Sequence, residues 1–469
     1  MDDRSCALDA LRGYAIVTMV LSGAVVYGVL PGWMYHAQVP PPTHVFNPAA
    51  PGITWVDLVF PFFLFAMGSA FPFSIRKRLE RGESKLKLIY DALKRSIQLT
   101  FFAIFIRHFY PYVLSNPEDA RAWGLSLLCF VLLFPMFMRI PLKMPAWTHI
   151  VVKLLAYATA LVLLLMVDYA DGRRFDPHFS NIIILILANM ALFGSLIYIF
   201  TIKSKIWRIA VLPFIMAVFL GKDIQGSFVS EIYNFTPLDW MYRFEYLKYL
   251  FIVLPGSIAG EYLMEWMNAR KGMEPEPDVK ERNGSYQVLF ISIALIIINL
   301  YCLYNRWLIV NMFINTGLII YGYLIQRKAV TADEQLWKKL FVAGSYLVLL
   351  GLFFEAYQDG IKKDPSTYSY YFLTSGLAFM AMIAFHVICD YYKCRRSTSF
   401  LVMSGQNPMI AYVATGLFTV PLLSLTGVYS VFDNFQHNAW LGFLRGVILT
   451  AIAVLVTMFF TKIRWFWRT

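Results

Sequence analysis

Residues 34–67 read MYHAQVPPPTHVFNPAAPGITWVDLVFPFFLFAM. From Trp55 onward this is an apolar run with one acidic residue, Asp57, and it predicts the opening of a membrane helix. Ahead of it lies a Pro-rich segment without Lys or Arg that carries two histidines, His36 and His44. An apolar run, residues 8–30, precedes that segment. A short, Pro-stiffened loop between two membrane helices can fold back into a cavity. A histidine held there is placed for proton transfer or nucleophilic chemistry.

The rest of the chain has the same character. Of 469 residues, 59% are hydrophobic and 15% charged, against about 25% charged in a soluble domain. The 40 Phe, 28 Tyr and 12 Trp suit a lipid-facing surface edged by aromatic belts. The predicted fold is all-α, a polytopic transmembrane helix bundle. The polar start leads into the first apolar run without a small-residue cleavage site, so that run is expected to remain as the first helix. Five cysteines are scattered without a CxxC pair, which argues against a disulfide framework or a zinc site; no metal is expected. The net charge of +12 is spread over many short loops. That distribution points to membrane topology, not to nucleic acid.

About fourteen runs approach the roughly 20 residues needed to cross a bilayer, and short or closely spaced ones bring the expected range to 12–14 helices. With the N-terminus in the cytoplasm and strict alternation, 26 Lys and Arg fall in cytoplasmic segments. Nine fall outside: Arg107, Arg121, Arg173, Arg174, Lys222, Arg243, Arg306, Lys362 and Lys363. The bias holds at every loop, so both termini are expected to be cytoplasmic and the histidine loop external. The polar stretch 268–286 is read as a cytoplasmic linker between an N-terminal bundle, 1–267, carrying the outer loop 31–53, and a C-terminal bundle, 287–469. Together they are expected to form one membrane domain. No internal repeat is evident, which weakens a transporter built from inverted halves.

Ionisable residues at membrane depth are the candidates for chemistry. Asp57 suits a helix N-terminus, where the macrodipole favours a carboxylate. It equally suits a partner that fixes a histidine tautomer. Asp9 and Arg12 share a helix face at the cytoplasmic end of the first helix and could contact an anion. Arg76 and Arg78 lie in the basic run after the second helix, an orientation signal that could also attract a phosphorylated ligand. Gln406 and Asn407, ahead of Pro408, could join helices or grip a substrate carbonyl. His386 and Asp390, one turn apart, read as a structural pair, and Glu261, Glu265 and Glu355 as groups reaching the interface. No HExxH, P-loop, GxSxG or GxGxxG pattern occurs.

Three segments together resemble the membrane-bound acyltransferase family of heparan-α-glucosaminide N-acetyltransferase and its bacterial relatives. They are LDALRGYAIVTMVLSG (8–23), TWVDLVFPFFLFAMGSA (54–70) and SFLVMSGQNPMIAYVATGLF (399–418). The resemblance implies acetyl transfer from cytosolic acetyl-CoA to an amino sugar or other saccharide acceptor across the membrane. It also implies a bacterial inner-membrane location, and it allows a homodimer. A histidine of the first outer loop is central in that family. His36-Ala37-Gln38 matches the family's local pattern best, while His44 fits better by its distance from Asp57. Departures occur where the family often has Asn and this chain has Ser22, at Arg121–Leu127, and at Glu245-Tyr246. The implied roles are His36 or His44 with Asp57 in catalysis. Asp9, Arg12, Ser22, Arg76, Arg78, Gln406 and Asn407 are the implied acetyl-CoA and substrate contacts. The alternative is a transporter or flippase for a sugar or lipid-linked intermediate, or an inactive scaffold.

Overall fold

The computed structural model describes residues 5–138, 145–270 and 283–468. Residues 271–282 of the proposed linker lie outside it, as do Arg4, Arg139 and Lys143 of the basic residues counted above. The long helices are α1 (Cys6–Ala24), α2 (Trp55–Ser69), α3 (Lys85–His108), α4 (Ala120–Phe137), α5 (Ala146–Met166), α6 (Ile182–Phe200) and α7 (Lys205–Leu220). They continue with α8 (Leu250–Arg270), α9 (Asn283–Tyr304), α10 (Leu308–Ile325), α11 (Ala332–Phe354), α12 (Tyr368–Phe385), α13 (Arg395–Gln406) and α14 (Ala439–Lys462). Among the described residues twelve helical stretches are long and apolar enough to cross a membrane. The chain is a multi-pass integral membrane protein. Three of the fourteen named helices, the more polar α3 and the short α7 and α13, are not among the twelve, while residues 408–425 are; α3 still runs between the same two ends. Arg78 bonds Asp91 near one end of α3, and His108 at the other packs on Phe175 and Phe179.

Close packing depends on small residues, because lipid supplies no hydrophobic drive for helices to associate. A Cβ at Gly13 of α1 would lie 1.8 Å from the Leu401 carbonyl oxygen of α13, and one at Gly405 would lie 1.9 Å from that of Asp9. Gly68 of α2 and Gly256 of α8 meet the facing backbones of Val253 and Phe65 in the same way. Helices early in the chain therefore pack on helices late in it, α1 on α13 and α14, α2 on α12.

Four expectations from the sequence are overturned by the structure. Residues 399–424, one of the fourteen apolar runs expected to cross as a single helix, do not form one helix. They break at Asn407 (φ −132°, ψ 54°), because Pro408 disfavours a helical residue before it, and residues 408–425 continue through a π turn. His386 and Asp390 do not pair. A π turn, His386–Tyr391, takes them apart. His386 Nδ1 accepts from Trp337 Nε1 at 2.9 Å, while Asp390 accepts from Ser5 Oγ and the Cys6 and Ala7 amides at 3.0–3.1 Å, capping α1. Glu261 does not reach the interface. It is buried against Arg208 at 2.8 Å, and Arg208, counted above as a loop cation, is itself fully buried. Hydrogen bonds from Arg208 to Ser257 and Thr201 offset the desolvation of that pair. Glu355, likewise buried, pairs with Arg306.

The two ends of the bundle are chemically distinct. At one, loop 25–54 meets the turn before α10 and loop 355–367, with the Gly52 amide on the Ile361 carbonyl at 2.8 Å. At the other, Ser5 meets Asp390, and the tail after α14 returns to bond the Phe137 carbonyl through the Arg468 amide at 2.7 Å. Both described termini therefore share a face.

Candidate active site

Asp57 sits in the first turn of α2. Its Oδ2 accepts from the Thr54 amide at 2.9 Å, which is the helix-capping reading of this residue. The same oxygen accepts from the Ala37 amide at 3.2 Å, and Oδ1 lies 2.8 Å from His36 Nδ1. One carboxylate thus both starts the helix and holds the loop histidine. His36 is fixed from both sides. The Tyr35 carbonyl accepts from Thr54 Oγ1 at 2.7 Å, and the Tyr35 hydroxyl donates to the Val26 carbonyl at 2.6 Å. The Gln38 side chain bonds both backbone groups of Asp364. The Asp57 side chain is 2% exposed and that of His36 36%, so a buried anion backs an accessible imidazole.

The carboxylate can only accept, so Nδ1 carries the proton and Nε2 keeps its lone pair. Sequence reasoning missed the third member, Lys363. Its Nζ lies 3.1 Å from His36 Nδ1, 3.3 Å from Nε2 and 4.0 Å from Asp57 Oδ1. With Nδ1 protonated, Nε2 is the nitrogen able to accept from it. Burial pushes the Lys363 ammonium below the usual lysine range, opposed by the Asp57 and Asp364 carboxylates. The available signal was the pair Lys362-Lys363 on a face otherwise poor in cations.

His44 stands apart from this cluster. Its Nε2 accepts from the Gly28 amide at 2.9 Å, its ring lies edge-on to Tyr27 and Tyr35, and its φ of 50° places it in a turn. Ser22 Oγ donates to the Met19 carbonyl within its own helix, at 2.8 Å.

The opposite end gathers a second set. Arg12 lies 3.5 Å from Asp9 Oδ1 and 3.3 Å from the Gly405 carbonyl, and Gln406 Nε2 donates to Asp9 Oδ2 at 3.3 Å. Arg95 of α3, also missed, lies close enough to feel the Arg12 charge. It follows Lys94 in the polar half of α3, so nothing in the sequence set it apart. Arg76 and Arg78 are separate from this set. Arg76 pairs with Glu80 at 3.0 Å, and Arg78 with Glu83 at 2.7 Å and Asp91 at 2.5 Å. Asn407 spends its amide on the Trp465 carbonyl at 2.7 Å and the Trp467 amide at 3.3 Å, holding the tail.

Within the bundle lies a small apolar pocket of about 20 Å³ lined by Ile16, Met19, Phe60, Phe63, Leu99 and Pro408, among others. Ile16 is one turn from Arg12, Leu99 one turn from Arg95, and Phe60 about one turn from Asp57. Among the described residues no group of three or more His, Cys, Asp or Glu is placed to hold a metal ion.

Over 104 residues the chain is 35% identical to heparan-alpha-glucosaminide N-acetyltransferase of Mus musculus, covering 22% of this chain and 14% of that protein. Over 101 residues it is 37% identical to the Homo sapiens protein of the same name, covering 21% and 13%. The match thus spans a small part of those relatives. A family model described as "Domain of unknown function (DUF5009)" matches residues 4–263, the segment that holds His36, Asp57, Arg12 and Arg95. Covering more than half of the chain, that match makes this protein a member of the DUF5009 family.

Proposed function

We propose that this protein is a transmembrane acetyltransferase, with donor acetyl-CoA at the Arg12 end, taken as cytoplasmic, and a saccharide acceptor at the His36 end. The setting would be a bacterial inner membrane. The observation that carries the reading is the His36–Asp57 contact: an accessible imidazole whose Nδ1 is held by a buried carboxylate, with Nε2 facing the Lys363 ammonium.

At the donor end Arg12 and Arg95 offer guanidinium groups to phosphates. Gln406 and Asp9 hold Arg12 in place, while Arg76 and Arg78 are already taken by their own carboxylates. At the outer end His36 Nε2 has two routes. It can attack the thioester carbonyl, so that the C–S bond breaks, the thiolate leaves and takes a proton, and the acetyl group passes from nitrogen to the acceptor amine or hydroxyl. Or it can remove the acceptor's proton while the acceptor itself attacks. In both, Asp57 stabilises the imidazolium that forms. Lys363, released from Nε2, donates to the tetrahedral oxyanion.

The test is thiol release from acetyl-CoA by the purified, detergent-solubilised protein, with and without glucosamine. Acceptor-dependent release is expected, reduced about 10²-fold or more in His36→Ala and retained in His44→Ala. Full activity in His36→Ala would overturn the assignment. Glucosamine transport without thioester consumption would replace it with a carrier.

A further inference from the structure

A separate cavity of about 200 Å³ opens on the same end of the bundle as His36. Its walls carry His178 and Ser180 from the loop before α6, and Asp239, Trp240, Arg243 and Tyr246 from the segment before α8. We propose that this cavity is the docking subsite for one sugar unit of the acceptor, a reading that rests on the acyltransferase function above.

Three observations support it. The first is chemical complement. A sugar presents a C–H face and a rim of hydroxyls. Trp240, half-buried, and Tyr246, buried, supply amphipathic ring surfaces, Asp239 supplies acceptor oxygens and Arg243 a fork of donors. Cations and carboxylates are mixed around the cavity, so it favours a neutral or amino sugar over a phosphate. The volume is below the roughly 300–1,000 Å³ of drug-sized pockets, which suits one ring.

The second is rigidity. His178 is clamped between two carboxylates, Nδ1 at 3.0 Å from Asp176 and Nε2 at 3.1 Å from Asp239, and both hold its imidazolium above the usual histidine range. The clamp ties the two loops together. Asn189 of α6 adds a bond to the Met241 carbonyl at 2.9 Å, and Arg243 Nε bonds the Asp239 carbonyl at 3.3 Å. A preorganised wall loses less entropy on binding.

The third is continuity with the chemistry. Tyr246 belongs to the 3-10 turn Phe244–Tyr249. Tyr249, at the end of that turn, packs edge-on against Phe60 with centroids 5.3 Å apart, and Phe60 lies about one turn beyond Asp57. A sugar held in the cavity therefore lies on the element that abuts the catalytic helix start.

The experiment uses the full chain in detergent, with glucosamine as the probe, and compares wild type, Trp240→Ala, the nearly isosteric Asp239→Asn, and His36→Ala. Glucosamine binding is read by saturation-transfer NMR, and turnover by thiol release from acetyl-CoA. Both cavity variants are expected to raise the glucosamine KM at least tenfold with the acetyl-CoA KM unchanged and to lose the binding signal, while His36→Ala binds glucosamine without turning over. Unchanged KM and unchanged binding in both cavity variants would overturn the subsite. Trp240-dependent binding without any thiol release in wild type would uphold the subsite and remove the acyltransferase reading. Thiol release with a different acceptor, but no glucosamine binding, would do the reverse.

Discussion

Asp57 shows how one side chain can start a helix and hold a histidine together. Its Oδ2 caps α2 and its Oδ1 holds His36, so Asp57→Asn separates the two roles only in part. The amide still accepts through one oxygen but no longer stabilises an imidazolium. We expect a fall in kcat of about 10–100-fold with little change in acceptor KM, together with about 1 kcal/mol of lost stability from the weaker cap, read by steady-state kinetics and a detergent melt. Lys363 makes a pH prediction. Its ammonium is present below its folded-state pKa, which burial has lowered. Activity that needs this charge is therefore lost, as pH rises, before the unperturbed lysine range of about 10.4 is reached. Lys363→Arg keeps the charge throughout, so the alkaline limb of its pH–rate profile should move upward. An unmoved limb would remove Lys363 from the chemistry.

At the scale of elements, the proposed donor end depends on how closely α1 and α13 approach, since α1 carries Asp9 and Arg12 while α13 carries Gln406. The contact leaves no room for a β-carbon at Gly13 or Gly405. Gly405→Val should destabilise the protein by about 1–3 kcal/mol or more through overpacking and weaken acetyl-CoA binding, because Arg12 bonds the Gly405 carbonyl itself. Gly124→Ala is the control. Nothing lies within 4 Å of the position a β-carbon would take there, so its melting temperature should equal or exceed wild type, since Ala is the better helix former. A Gly405→Val melt equal to that control would show that the approach contributes nothing to stability.

At the scale of the whole molecule, the shared face of the two described termini and the skewed Lys/Arg distribution lead to one testable topology. Alkaline phosphatase inserted near residue 45 or residue 360 should be active, and near residue 82 or residue 329 inactive. The reverse pattern would invert the protein and place the His36 end in the cytoplasm. Acetyl-CoA would then meet the histidine without crossing anything.

The sequence by itself determined the class of fold and most of the spans. Twenty-residue apolar runs have one stable outcome in lipid, a helix that satisfies its own backbone. It also brought forward His36, His44 and Asp57, because a histidine-bearing loop beside an intramembrane acid departs from the apolar background. Only the tertiary structure decided which histidine meets the acid. His36 and His44 are eight residues apart on one Pro-rich loop, and their partners, Asp57 and Gly28, are set by how the loop folds. It also decided that Lys363 joins them from 327 positions away. It showed Arg76 and Arg78 bound to local carboxylates, and Asn407 holding the tail. Periodicity and composition report what a residue would cost to bury. Which distant group offsets that cost depends on long-range packing, and that is written in three dimensions.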